Sequence, residues 1–250
     1  MNSLESRVAL SCAVWAVACG AEPAPSLPSS ARLSIPAAYT LQAAEFDPRV
    51  SASSLRSTVD NPLFPAPPGA AWTYRAQTDE GEERIEVEVE ADTLAVWGTN
   101  ARVVHDTAFL DDELIEDTRD WFAQDGEGNV WYLGEDTVSY EAGQAVCSCG
   151  AWEAGIAGAL PGVAMPADPA VGDVYRQEYL RGEAEDIGEI ISLAESVTVP
   201  AGSWSNCLKT RDRSVVDPDA DEYKYYCPGV GLVLEEEADT RVELIAYTGL

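Results

Sequence analysis

From residue 71 onward the chain alternates apolar and polar residues with a period of two, the pattern of strands that bury one face. Residues 84–90 keep the alternation without error: Ile85, Val87 and Val89 fall on one face, and Arg84, Glu86, Glu88 and Glu90 on the other. The same pattern predicts strands over 71–78, 93–97, 102–110, 138–140 and 145–152. A second run follows over 173–180, 188–199, 205–215, 221–227, 230–236 and 241–247. Within the first run lies 114–133, LIEDTRDWFAQDGEGNVWYL, two strands joined by a Gly-rich turn at 125–129. Trp121, Phe122, Trp131 and Tyr132 flank that turn and put large aromatics on both faces. That predicts a hairpin central to a sheet, or curled around something apolar. Residues 153–169, rich in Gly, Ala and Pro, break the pattern and predict a mobile flap across one end of the sheet. Only 182–187 reads as a helical turn. No stretch sustains a 3.6-residue period, which predicts an all-β domain over 61–250.

Ahead of that domain, residues 1–18 have a polar start with Arg7 and then an apolar run ending in small residues. This is a secretory signal, with an apolar core too short to span a bilayer. Ala16-Val17-Ala18-Cys19 resembles the lipobox of bacterial lipoproteins, in which the cysteine is lipidated and becomes the first residue. The alternative is an ordinary secreted protein cut near Ala18. On the lipoprotein reading, acyl chains on Cys19 moor the protein to a membrane, each buried methylene adding roughly 0.8 kcal/mol. Gly20 beside it, by the same resemblance, favours an outer-membrane or cell-surface address. Residues 19–60 carry Pro23, Pro25, Pro28, Pro36 and Pro48 among Ala and Ser. Such composition predicts a flexible tether whose distal part, from Glu45, can dock on the domain.

Charge narrows the partners. Forty-four acidic residues face fifteen basic ones and one histidine, a formal charge of −29. That excludes nucleic acid, whose recognition needs clustered Lys and Arg. It also argues against direct adhesion to anionic lipid headgroups. The 250 residues are 46% hydrophobic, enough for one substantial core. With Lys209 and Lys224 the only lysines, the expectation is a shell that is greasy inside and anionic outside.

Candidate chemistry is sparse. Beyond the leader stand four cysteines, Cys147, Cys149, Cys207 and Cys227. A hairpin of 205–215 with 221–227 puts Cys207 and Cys227 face to face at its open end and Arg213 opposite Asp221, which predicts a disulfide. Cys147 and Cys149 point to one face of one strand, and three roles stay open for them: a bond to each other, exchange with the other pair, or thiolate ligation of a soft metal. Asp217, Asp219 and Asp221 alternate as in a Ca²⁺ loop, but Glu222 stands where such a loop needs glycine; an acidic hairpin turn is the simpler reading. His105 is the only histidine and reads as structural. No nucleophile elbow, HExxH or phosphate loop exists, so no catalytic residue and no cofactor is assigned. The candidate ligand-lining set is Trp72, Tyr74, Trp121, Phe122, Trp131 and Tyr132.

Several phrases together resemble a family of uncharacterised bacterial envelope proteins. They include Phe46-Asp47-Pro48, Asn61-Pro62-Leu63-Phe64-Pro65, Asp120-Trp121-Phe122-Ala123-Gln124-Asp125, Gly128-Asn129-Val130-Trp131-Tyr132 and Tyr225-Tyr226-Cys227-Pro228-Gly229-Val230-Gly231. Val199-Pro200-Ala201-Gly202-Ser203-Trp204 is similar to secreted lipoproteins with a LolA-like curved sheet. The resemblance implies a strongly curved antiparallel sheet, a half-barrel or open barrel, with minor helix and an apolar concave side. The functional expectation is a lipid-anchored, non-enzymatic envelope protein that binds or carries an apolar small molecule or lipid. The other reading is an acidic structural or interaction module that binds calcium at the 217–221 turn.

Overall fold

The alternating segments become strands that pair in antiparallel fashion with their sequence neighbours, as a chain of short turns dictates. The structure is a computed structural model that describes residues 48–250; the signal, Cys19 and most of the tether lie outside the described residues. A short hairpin, β1 (Asp60–Asn61) with β2 (Phe64–Pro65), precedes the main sheet. The first run is β3 (Ala71–Gln77), β4 (Glu82–Val96), β5 (Thr99–Leu110), β6 (Glu113–Gln124), β7 (Val130–Glu141), β8 (Gln144–Cys147), β9 (Trp152–Glu153) and β10 (Gly162–Met165). The second run is β11 (Val174–Arg176), β12 (Asp186–Val199), β13 (Gly202–Ser214), β14 (Asp221–Cys227), β15 (Gly231–Glu237) and β16 (Thr240–Thr248).

All fourteen strands of the main sheet form one ribbon, in the order β10-β7-β6-β5-β4-β3-β16-β15-β14-β13-β12-β11, with β8 and β9 also on β7. The two runs are joined where the first long strand, β3, pairs with the last, β16. The ribbon curls until its ends meet. Leu160 N donates to Tyr179 O at 2.9 Å. A Cβ at Gly162 would lie 1.9 Å from Gln177 O, so only glycine permits that approach. No ladder joins β10 to β11, and the result is a strongly curved open barrel, all-β as the pattern predicts.

Three expectations are corrected. Segments 84–90 and 93–97 are one strand, β4, which passes a register shift between Val89 and Thr93 without ending; 138–140 is likewise the end of β7. The predicted flap is not free: β9 and β10 pair with β7, and Ala154, Ala159, Ala164 and Met165 are buried. Opposite β9, strand β7 must carry a glycine because the two backbones crowd. A Cβ at Gly134, where φ is +129°, would sit 2.2 Å from Trp152 O. Residues 182–187 are not helical; Leu180 and Ala184 bridge across a tight turn and β12 starts at Asp186. Among the described residues the helical turn is instead a 3₁₀ turn at Ala52–Ser54. Past it the chain hydrogen-bonds to the sheet, with Arg56 N to Gln124 O and Gln124 N to Arg56 O both 2.9 Å.

The β13–β14 register sets Arg213 against Asp221 and continues past Leu208 and Tyr226 to the next pair, Cys207 and Cys227. Their sulfurs are bonded, with 4.2 Å between Cα atoms. Closing a separation of 20 residues contributes roughly 3 kcal/mol in the chain-entropy account. Of the three roles open to Cys147 and Cys149, the structure takes the first and joins them to each other.

Candidate functional site

Period two decides what the barrel encloses. On β3 and β4 the inward set is Trp72, Tyr74, Ala76, Glu83, Ile85, Val87 and Val89. On β5 and β6 it includes Val104, Asp106, Thr118, Asp120 and Phe122. On β13 and β14 it is Leu208, Thr210, Asp212, Ser214, Glu222, Lys224 and Tyr226. One end of the interior is apolar. The other holds ionisable groups.

Nine carboxylic side chains are buried among the described residues: Glu83, Asp106, Asp120, Glu135, Glu178, Asp186, Asp212, Glu222 and Glu235. The expectation of a greasy interior and an apolar concave side is therefore corrected. A carboxylate is expected at the surface because burying an unpaired charge is costly; here that cost is lowered by a lysine and by protonation. Lys224 is 2% exposed at its side chain, with Nζ 2.8 Å from Glu222 Oε1 and 3.8 Å from Asp212 Oδ2. Burial alone would lower its pKa, but Glu222, Glu235 and Asp212 outweigh that and hold it charged.

Several carboxyls keep their protons instead. Burial pushes Asp186 up to about 8 and Asp120 to about 7, against hydrogen bonds from Ser214 and Tyr132 respectively. Glu178 and Glu235 have both carboxyl oxygens buried without hydrogen-bond partners, and burial raises both well above the usual carboxylate range. Tyr132 Oη lies 2.5 Å from Asp120 Oδ1 and 2.9 Å from Glu135 Oε2, two cross-strand partners. A phenol has one proton to donate, so both contacts are favourable only when one of those carboxyls carries a proton.

Over the acid layer, at the apolar end, a cavity of about 90 Å³ opens between β3–β6 and β14–β15. Its walls are Trp72, Val87, Val89, Val104, Phe122 and Val230, under a roof of Phe64, Pro65 and Ala66. Its floor is Tyr74, Asp106, Asp120, Lys224 and Tyr226. The roof is pinned by Gly229 N, which donates to Pro62 O at 2.7 Å, and two of the walls are tied by Trp72 Nε1, which donates to Val230 O at 2.9 Å. Of the predicted lining set, Trp72, Tyr74 and Phe122 face this cavity. Tyr132 is packed beneath, its ring stacked on Phe122 at 4.9 Å between centroids. Trp121 is buried but is not part of the lining, and Trp131 Nε1 donates to Asp125 Oδ2 at 2.9 Å. The lining also holds Asp106, Asp120, Lys224 and Tyr226, which the predicted set omits. Parity could have found them: Asp106 is two residues from Val104, Asp120 two from Phe122, and Lys224 two from Tyr226.

The other candidates are engaged elsewhere. Asp221 is held by Arg211, with Nε 2.6 Å from Oδ1 and a second contact from Nη2, while Arg213 turns to Glu189 at 2.9 Å. Asp217 Oδ1 accepts from Asp219 N at 3.1 Å, closing the turn on itself. Asp217, Asp219 and Asp221 thus do not converge on a common point, and no metal-holding group of acidic, His or Cys residues occurs among the described residues. At the central turn, Asp125 takes five hydrogen bonds, three of them from the backbone N–H groups of Glu127, Gly128 and Asn129. Partial burial pushes its pKa up, and these bonds more than reverse that. His105 lies on the opposite strand face from Asp106, 3.1 Å from Asp117.

No protein-family model matches the chain, and no curated protein matches it. One solved structure of similar shape is that of a candidate lipoprotein from Parabacteroides distasonis. It is 14% identical, covering 74% of this chain and 98% of that one, with a TM-score of 0.41. A likeness at that level carries no argument, so neither the LolA-like resemblance nor the address rests on it.

Proposed function

We propose that the chain is a lipid-anchored cell-envelope protein, non-enzymatic, whose open barrel binds a small apolar group in the cavity at its mouth. The observation that carries the binding reading is the cavity itself, an aromatic and aliphatic pit over an ionisable floor, roofed by the β1–β2 hairpin. Its size sets the class of occupant. Sites for drug-sized ligands run to about 300–1,000 Å³, and an apolar cavity of about 150 Å³ takes up benzene. At about 90 Å³ the site suits a group of about four or five heavy atoms rather than an acyl chain. The carriage of a whole lipid, one of the expectations from the sequence, finds no support in that volume.

Ligand-observed NMR with the neutral compound 3,3-dimethylbutan-1-ol tests the binding. Saturation transfer is expected from the mature protein, with a loss of about tenfold or more in affinity in Val104→Phe, which fills the cavity at an overpacking cost of about 1–3 kcal/mol. Equal affinity for both proteins, with the fold intact by circular dichroism, would move the ligand elsewhere. Anchoring is tested separately by Cys19→Ala. The variant is expected in the soluble fraction of the envelope while the parent partitions with membranes; identical fractionation of the two sinks the anchor.

A further inference from the structure

The cavity floor has an unpartnered carboxyl. Lys224 lines the cavity, but its Nζ is claimed by Glu222 and Asp212, neither of which borders it. Asp120 is taken by Tyr132. Asp106 is different: 4% exposed and bordering the cavity, it has no hydrogen-bond or ion-pair partner among the described residues. A buried carboxyl left without a partner in its own chain is the group a ligand would satisfy.

Much of the lining around it is aromatic. Phe64, Trp72, Tyr74, Phe122 and Tyr226, from three strands and the β1–β2 hairpin, all border the same small space. Ring faces carry negative potential and attract cations, most strongly where water is excluded, and an aromatic cage is the usual receptor for quaternary ammonium. A trimethylammonium group has about four heavy atoms, within the size the volume allows. The net charge of −29 enriches cations around the barrel before any contact forms.

We propose that the cavity receives an alkylammonium head group of trimethylammonium size, with Asp106 as its counter-charge and Trp72, Tyr74, Phe122 and Tyr226 as the surrounding rings. This rests on the reading of the cavity as a binding site and names the class of its ligand. The groups facing Asp106 fix how binding depends on pH: Glu83 on β4, Glu116 and Asp120 on β6, Glu235 on β15, with Tyr74 on β3 and Lys224 on β14. Burial and the four carboxyls favour the protonated form of Asp106 in the empty site. An entering cation reverses that preference, so one proton leaves Asp106 as the cation arrives and affinity rises with pH.

Isothermal titration calorimetry of the mature chain with choline, against its neutral carbon isostere 3,3-dimethylbutan-1-ol, tests the proposal. Choline is expected to bind about tenfold tighter than the isostere at about pH 8, with the ratio shrinking towards pH 6. Asp106→Asn, which keeps the shape, is expected to remove most of the preference for choline over the isostere together with its pH dependence, and a variant that keeps both overturns Asp106 as the counter-charge. An isostere that binds as tightly as choline overturns the ammonium assignment and leaves the cavity a neutral apolar site. Binding of neither compound at millimolar concentration overturns the cavity reading as well.

Discussion

Lys224→Met is expected to destabilise the folded protein by about 3–5 kcal/mol near neutral pH, the loss typical when one member of a buried ion pair is removed. Methionine matches the lysine stem in length and apolar character, so packing changes little. What disappears is the charge that lets Glu222, Asp212 and Glu235 share the interior. Thr210 and Glu235 flank Lys224 on the neighbouring strands and neither supplies a cation. Urea denaturation at several pH values checks this. The deficit should be largest at neutral pH and shrink in acid, where Glu222 and Glu235, both raised by burial, become neutral and no longer need the ammonium. A loss below about 1 kcal/mol at neutral pH would show that the lysine is not their counter-ion.

Stability is expected to fall as pH rises from about 5 to 8, the reverse of the behaviour of most acidic proteins. For a carboxyl with a folded-state pKa raised above its unfolded value near 4, the native state binds more protons than the unfolded state. The slope of unfolding free energy against pH is then negative. The contribution is fully present below the unfolded pKa and disappears as pH passes the folded one. Asp120 and Asp186, pushed up to about 7 and about 8, place that loss between about pH 4 and 8. Glu178, Glu235 and Asp106 move in the same direction. A tenfold gain in a carboxyl's proton affinity on folding corresponds to about 1.4 kcal/mol, so a total of several kcal/mol across the range is expected. The raised pKa of Lys224 does not offset this, since its contribution is complete below the unfolded lysine value near 10.4. Repulsion among surface carboxylates has the same sign, so the measurement is made at fixed high ionic strength. Asp186→Asn should flatten the curve between about pH 5 and 8 by on the order of one proton's worth of slope. A parent profile that is flat or rises over that range would contradict the account of the interior.

The fold is largely legible in the sequence because period-two alternation is imposed locally. Ile85, Val87 and Val89 declare a buried face without reference to any other strand, and β14 begins and ends where the pattern places it, at Asp221 and Cys227. The Cys207–Cys227 bond follows from a hairpin register that two short strands and one turn define. The segment 153–169 resists because its order comes from distant partners. Its β9 and β10 are fixed by pairing with β7, and nothing in Gly-Ala-Pro composition distinguishes a segment held in that way from a mobile one.

The cavity is half legible. Trp72, Tyr74 and Phe122 read as aromatics that line a concave surface, while Asp106, Asp120 and Lys224 on the same faces are absent from the set that the sequence suggests. An aspartate looks the same in a sequence whether it meets water or a protonated neighbour. The difference is set by groups far apart in the chain, such as the Glu135 and Asp120 carboxyls that act on Glu178.

The amino-acid sequence by itself determined the class of structure, the antiparallel pairing of neighbours and one disulfide, since each depends on side-chain parity and short-range turns. Tertiary structure alone decided that β3 would meet β16, that the ribbon's ends would close on Gly162, and that nine of the described carboxyls would be enclosed with one lysine. Those outcomes depend on curvature summed over fourteen strands and on charges that become neighbours only once the sheet has curled.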